Sequence, residues 1–170
     1  SQRAEYSESF MYFSTPEDGA KSTRGWFKVI PGYFLNKGKW EEDGSAWYYA
    51  DGKGHLVANE IKTINGKKYA FDDKGGMMSG LVLLEMKQLP SGKYSTTEFV
   101  DNLGKSGKKI PYETQENIEE SIGKIHYSEF LSGKYRMMYF GDGKDGSQKY
   151  GKQSIKLDDE NRTFYFKEAG

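Results

Sequence analysis

Residues 47–61 read WYYADGKGHLVANEI, in which three aromatics lead into a polar turn ending in Gly and a short apolar stretch follows. Residues 68–82, KYAFDDKGGMMSGLV, write the same order again. Tyr69 takes the place of Tyr48, Asp72 of Asp51, Lys74 of Lys53 and Gly75 of Gly54, while Met77 and Val82 replace Leu56 and Ile61, an offset of 21 residues (69 − 48). A second pair, MYFSTPEDG at 11–19 and MYFGDGKDG at 138–146, shares Met, Tyr, Phe, Asp and Gly. In all four stretches the turn ends at a Gly (Gly19, Gly54, Gly75, Gly146), and a second Gly or Asn follows at Gly25, Asn59, Gly80 and Gly151. A further copy opens at TFYFKEAG, residues 163–170.

This pattern predicts hairpins. Alternation puts Tyr69 and Phe71 on one face of a strand, and the Asp and Gly after them suit a tight reversal. Asn65-Gly66, between IKTI and KKYAF, is a strong short-range hairpin signal and predicts a type I′ turn. A lone hairpin is marginal in water, so each must bury its aromatic face on a neighbour. The expected fold is therefore all-β, a solenoid of stacked β-hairpin repeats about 21 residues long with a ladder of rings as its core.

The rhythm breaks over 87–130. There STTEFVDNL opens with a Ser-x-x-Glu box, Ser95 to Glu98, that predicts two helical turns. ETQENIEESIGK places Ile118 and Ile122 four apart before Gly123 and predicts a short amphipathic helix. The Gly-Lys-Ser-Gly-Lys-Lys run before Pro111 is expected to be a mobile loop. The expected organisation is hairpin repeats over 1–86, an irregular insertion or long-repeat variant with short helices over 87–130, and hairpin repeats over 131–170, the terminal copies being truncated by excision from a longer chain.

Composition sharpens the expectation about burial. Of the 170 residues, 35% are hydrophobic and 15% are Phe, Trp or Tyr, so aromatics must carry much of the core, and 21 glycines favour many short strands over long helices. Lys plus Arg and Asp plus Glu balance at 25 each, which leaves no excess positive field for a nucleic-acid backbone. Cysteine is absent, removing disulfides, thiolate nucleophiles and cysteine zinc sites together. No apolar run approaches the length of a membrane span, and no signal segment opens the chain; a cytoplasmic protein or a mature piece of a longer one fits both observations.

The residues DGAKSTRGW, DGSAWYYADGKGHLVANE, INGKKYAFDDKGGMMSGL and YFGDGKDGSQKYGK together resemble the cell-wall-binding repeats of Gram-positive surface proteins: choline-binding modules, glucan-binding domains and the repeat tails of clostridial toxins. The resemblance covers roughly residues 10–86 and 135–170. It implies a non-catalytic module of a secreted or cell-surface protein that binds a cell-wall polymer or glycan, such as choline-bearing teichoic acid or a glucan, with no cofactor. Choline cages in such modules take one wall from a Trp after the second Gly. That position holds Trp26 here, but Glu60, Leu81 and Lys152 in the other copies. One cage is therefore implied, from Trp26, Trp47 and Tyr49, closed by Tyr69.

The candidate ligand-binding residues are Trp26, Trp40, Trp47, Tyr49, Tyr69 and Phe71. The plain alternative for each is a place in the core, because the chain is poor in aliphatics. Trp26→Ala is expected to separate the two, lowering binding with little change in melting temperature if Trp26 lines a site; Trp47→Ala is expected to be harmful either way. Other signals favour ordinary roles. GDGKDGS at 141–147 puts Lys144 where an EF-hand needs an oxygen ligand. His55, in a turn, and His126, in a predicted strand, have no His or Cys neighbours, so no metal site is expected. Glu116, Glu119 and Glu120 read as a solvated helix face rather than a glycosidase pair. NLGKSGKKI lacks phosphate-loop spacing. Three classes follow: a binding module, a structural spacer whose repeats have lost their ligand sites, and an enzyme, for which no nucleophile, dyad or metal cluster can be assembled.

Overall fold

In a computed structural model, residues 25–29, 46–101 and 111–168 are described. The copy at 11–19, the loop before Pro111 and Trp40 lie outside them. Two units divide the chain: residues 1–62 with 71–77, and residues 63–70 with 78–170.

In the first unit β1 (Gly25–Val29) pairs antiparallel with β2 (Ala46–Ala50), Trp26 opposite Tyr49, Phe27 opposite Tyr48 and Lys28 opposite Trp47. Alternation gives the hairpin two unlike faces. Phe27, Tyr48 and Ala50 point to one side and, with Leu56, form a buried cluster. The Phe27 and Tyr48 rings stack there with centroids 5.8 Å apart. Burial, with the Asp72 carboxylate nearby, pushes the Tyr48 hydroxyl's pKa up.

The repeat is kept bond for bond. After β2, Asp51 Oδ1 accepts from the backbone N–H groups of Lys53 (2.9 Å) and His55 (3.0 Å). Twenty-one residues on (72 − 51), Asp72 Oδ1 accepts from Lys74 (2.9 Å) and Gly76 (2.9 Å). Gly54 and Gly75 hold φ of 82° and 86°. The bridge Ala50–Leu56 returns as Phe71–Met77. The bond from Val57 N–H to the Tyr49 carbonyl (2.9 Å) returns as Met78 to Ala70 (2.8 Å).

The second unit contains most of a five-stranded sheet. Its strands are β3 (Glu60–Ile64), β4 (Lys67–Phe71), β5 (Leu81–Gln88), β6 (Tyr94–Asp101) and β7 (Tyr135–Tyr139), in the order β4-β3-β6-β5-β7. Asn65 and Gly66 turn β3 into β4 with φ of 51° and 80°, the predicted type I′ geometry. A further hairpin, β8 (Gly151–Leu157) with β9 (Glu160–Phe166), reverses through Asp158-Asp159 at φ of 54° and 62°.

The architecture is antiparallel and mostly β, as expected, but three local expectations fail. Residues 95–98 are not helical: they lie in β6. The Ser95 hydroxyl does accept from the Glu98 N–H (2.9 Å), yet the bond closes a bulge. Five residue steps of β6 (99 − 94) there oppose two of β5 (88 − 86). Thr96, Thr97 and Val100 are β-branched and Phe99 is buried, so sheet pairing overrides the cap signal. His126 caps a helix instead of sitting in a strand, its N–H donating to the Glu129 carboxylate at 3.0 Å. Finally, the core is not carried by rings throughout. Leu81, Val82, Leu83, Leu84 and Met86 of β5 are all almost fully buried, because this strand is covered on both faces.

The predicted helix forms as α1 (Gln115–Ile122), its N-terminus capped by the Thr114 hydroxyl on Asn117 N–H. Ile118 is buried and Ile122 exposed, so only one of the two isoleucines anchors it. A short α2 (Tyr127–Leu131) follows.

The turn at 141–147 yields a pH prediction. Asp145 accepts from the Ser147 N–H (2.9 Å) and from Lys149 Nζ (3.2 Å). These bonds, the Ser147 N–H foremost, lower its pKa from 3.8 to about 2. A carboxyl with a depressed folded pKa stabilises fully above its unfolded value, and the contribution fades as pH falls through 3.8 towards 2. Its side chain is 49% exposed, so solvent screening keeps the effect below about 1 kcal/mol. Asp145→Asn is expected to melt slightly below the parent at pH 6 and level with it near pH 2, as measured by thermal melts across that range.

Candidate ligand-binding site

The hairpin that fills the core of the first unit with Phe27 and Tyr48 necessarily aims Trp26, Lys28, Trp47 and Tyr49 the other way. Three rings meet there. Trp26 stands edge-on to Trp47 at a centroid distance of 6.1 Å and to Tyr49 at 5.3 Å. Phe71 packs beneath them, 5.6 Å from Trp26 and 6.4 Å from Tyr49. Trp47 is 41% exposed, Phe71 is 0% exposed, and Trp26 and Tyr49 are half-buried. The Lys28 ammonium lies 6.0 Å from the Trp47 ring centroid.

Four of the six predicted residues thus come together: Trp26, Trp47, Tyr49 and Phe71. Phe71 shows no face to solvent and supports the other rings from below. Tyr69 is half-buried on β4, in the second unit, and Trp40 lies outside the described residues. The ranking of the two probes by sequence also reverses. Trp26 is packed against three rings, whereas Trp47 is the exposed member, so Trp47 can be removed with less damage to packing.

A second aromatic group was missed by sequence reasoning. Tyr139 stacks on Phe166 at 5.9 Å and 21°, and Phe164 lies 6.4 Å from Phe166. The signal was present in the alternation of TFYF, which places Phe164 and Phe166 on one face of β9. Burial holds the pKa of the Tyr139 hydroxyl above its ordinary value.

Among the described residues no group of three or more His, Asp or Glu is placed to hold a metal. Asp142 Oδ1 accepts from the Lys144 N–H, and Asp145 accepts from the Ser147 N–H and from Lys149 Nζ. Glu119 accepts from Gln115 along α1 at 3.4 Å.

Solved structures to which the chain is similar include a choline binding protein, an autolysin and an alternansucrase. Choline binding protein F from Streptococcus pneumoniae aligns over 79% of this chain and 38% of its own length, at 22% identity and a TM-score of 0.24. The modular autolysin LytC from Streptococcus pneumoniae aligns over 75% of this chain and 22% of its own length, at 14% identity and a TM-score of 0.22. An alternansucrase in complex with isomaltononaose aligns over 74% of this chain and 9% of its own length, at 19% identity and a TM-score of 0.20. The chain therefore spans well under half of each of these proteins. No protein-family model and no curated protein sequence matches it.

Proposed function

We propose that the chain is a non-catalytic binding module, a solenoid of β-hairpins that attaches a secreted or surface protein to a cell-wall polymer or glycan through Trp26, Trp47 and Tyr49. One observation carries the reading: the β1–β2 hairpin buries one aromatic face and leaves the other, with Trp47 at 41% exposure, open to solvent. A structural spacer would gain more by burying every ring, since each large aromatic withdrawn from water is worth on the order of 2 kcal/mol. The solenoid is supported by a bond that recurs at the junctions between hairpins. Asn59 N–H donates to the Asp72 carbonyl (3.0 Å), and 21 residues later (80 − 59) Gly80 N–H donates to the Gly141 carbonyl (2.8 Å). Residues 87–130 are then an insertion carried by one long hairpin, β5 with β7, whose strands pair from Leu81–Tyr139 to Glu85–Tyr135. No helix among the described residues is long and apolar enough to cross a membrane.

Co-sedimentation with washed Gram-positive cell walls tests this, with free choline and soluble glucan as competitors. The protein is expected to sediment and to be displaced by a soluble ligand of the matching class. Trp47→Ala is expected to weaken retention about tenfold, the loss of one well-placed ring. Its melting temperature should fall by no more than about 2 °C, as for a surface substitution. A folded protein that stays in the supernatant with walls of several compositions would instead be the spacer.

A further inference from the structure

Lys28 shares the outer face of β1–β2 with the three rings, stands directly opposite Trp47 in the strand register, and is exposed. Its Nζ lies 6.0 Å from the Trp47 centroid, and no carboxylate of the described residues forms an ion pair with it. The most accessible ring of the face is thus already approached by the protein's own cation.

Resting on the reading of Trp26, Trp47 and Tyr49 as a ligand platform, we infer that this face selects carbohydrate bearing an anionic group and disfavours a quaternary ammonium. A ligand cation seeking the Trp47 π-face would meet the Lys28 charge at short range, where like charges repel by about 1 kcal/mol even in water and offset much of the cation–π gain at an exposed ring. A pyranose has no such conflict. Its C–H face stacks on an indole, and a carboxylate or phosphodiester on the same polymer reaches the ammonium in a charge-assisted contact. Lysine offers a compact point charge without the fixed fork of arginine, so uronate and phosphodiester are both accommodated.

Titration calorimetry of the whole chain at low salt distinguishes the cases with four probes: oligoglucuronate, glucosylated poly(glycerol phosphate), a neutral dextran oligosaccharide and choline chloride. At least one anionic probe is expected to bind about tenfold tighter than dextran, and which one does so identifies the source of the charge. Lys28→Gln should reduce that binding to the dextran level while leaving dextran itself unchanged. Lys28→Arg should retain the preference, and added salt should weaken the anionic probes selectively. Because Lys28 is exposed, both variants should melt with the parent. If choline or dextran binds as tightly as the anionic probes, or if Lys28→Gln leaves anion binding intact, the inference is overturned and the platform stands, provided Trp47→Ala still weakens binding about tenfold. Failure of all four probes overturns both.

Discussion

Tyr48→Ala is expected to cost about 3–5 kcal/mol and to unfold the first unit ahead of the second. The ring is fully buried, stacked on Phe27, and touches the turn of the next repeat, where a Cβ on Gly75 would lie 3.5 Å from its Cδ1. Among the described residues its cluster holds Phe27, Ala50 and Leu56, with Ala46 at its edge, and loss of the ring leaves a cavity at their centre. Against a typical total stability of about 5–15 kcal/mol the loss is a large share. Trp26 and Trp47, the two described tryptophans, belong to the first unit. Their fluorescence therefore follows that unit, while far-UV circular dichroism follows both. In urea the variant's fluorescence transition should move to lower concentration and separate from the dichroism transition. Tyr48→Phe keeps the ring and removes the hydroxyl, so it should cost no more than about 1.5 kcal/mol. If Tyr48→Ala and the parent gave the same midpoint, the assignment of this face as core would be wrong, and with it the assignment of the opposite face as the ligand platform.

The two faces of β1–β2 show how far the sequence could be read. Repetition at 21 residues identified the turns after β2 and β4, because the same Asp must cap the same backbone amides each time the motif recurs. Asn65-Gly66 declared its turn for a related reason: both residues accept positive φ at low cost. Which of the aromatics at 26–27 and 47–49 would turn inward was not written in the repeat. WYY and WF present rings at consecutive positions, and only the pairing of Phe27 with Tyr48 decides which rings are buried.

Elsewhere local signals were outvoted. The Ser95 box makes its hydrogen bond, but pairing along β6 is worth more than two turns of unsupported helix, and the cap becomes a bulge. Asp158-Asp159 forms a tight turn at positive φ without the glycine that usually announces one; the turn is closed by the long ladder of β8 on β9, from Leu157–Glu160 to Gly151–Phe166. The unbroken aliphatic run LVLL of β5 carries the signature of a strand covered on both faces, but periodicity alone does not separate such a run from a buried helical segment.

Gly80→Ala tests the junction between hairpins and is expected to cost about 2–5 kcal/mol, combining left-handed strain of about 1–2 kcal/mol with overpacking of about 1–3 kcal/mol. Gly80 holds φ of 77°, and a Cβ there would sit 2.6 Å from the Pro111 Cβ, on a ring that cannot swing aside as a flexible side chain would. The backbone cannot readily shift to relieve the contact, because the Gly80 N–H donates to the Gly141 carbonyl (2.8 Å) and its own carbonyl accepts from the Phe140 N–H (2.9 Å). The preceding repeat supplies the control. Asn59 occupies the equivalent position at φ of 53° and makes the equivalent bond to the Asp72 carbonyl, so this backbone geometry does not itself demand glycine. Asn59→Gly should change stability by no more than about 0.5 kcal/mol. Gly80→Asn, which tolerates the dihedral but keeps the Cβ, should fall between parent and Gly80→Ala. Urea midpoints followed by circular dichroism give the order. Equal midpoints for Gly80→Asn and parent would mean that Pro111 yields and that strain alone fixes the glycine; equal midpoints for Gly80→Ala and parent would remove the junction from the elements that hold successive hairpins together.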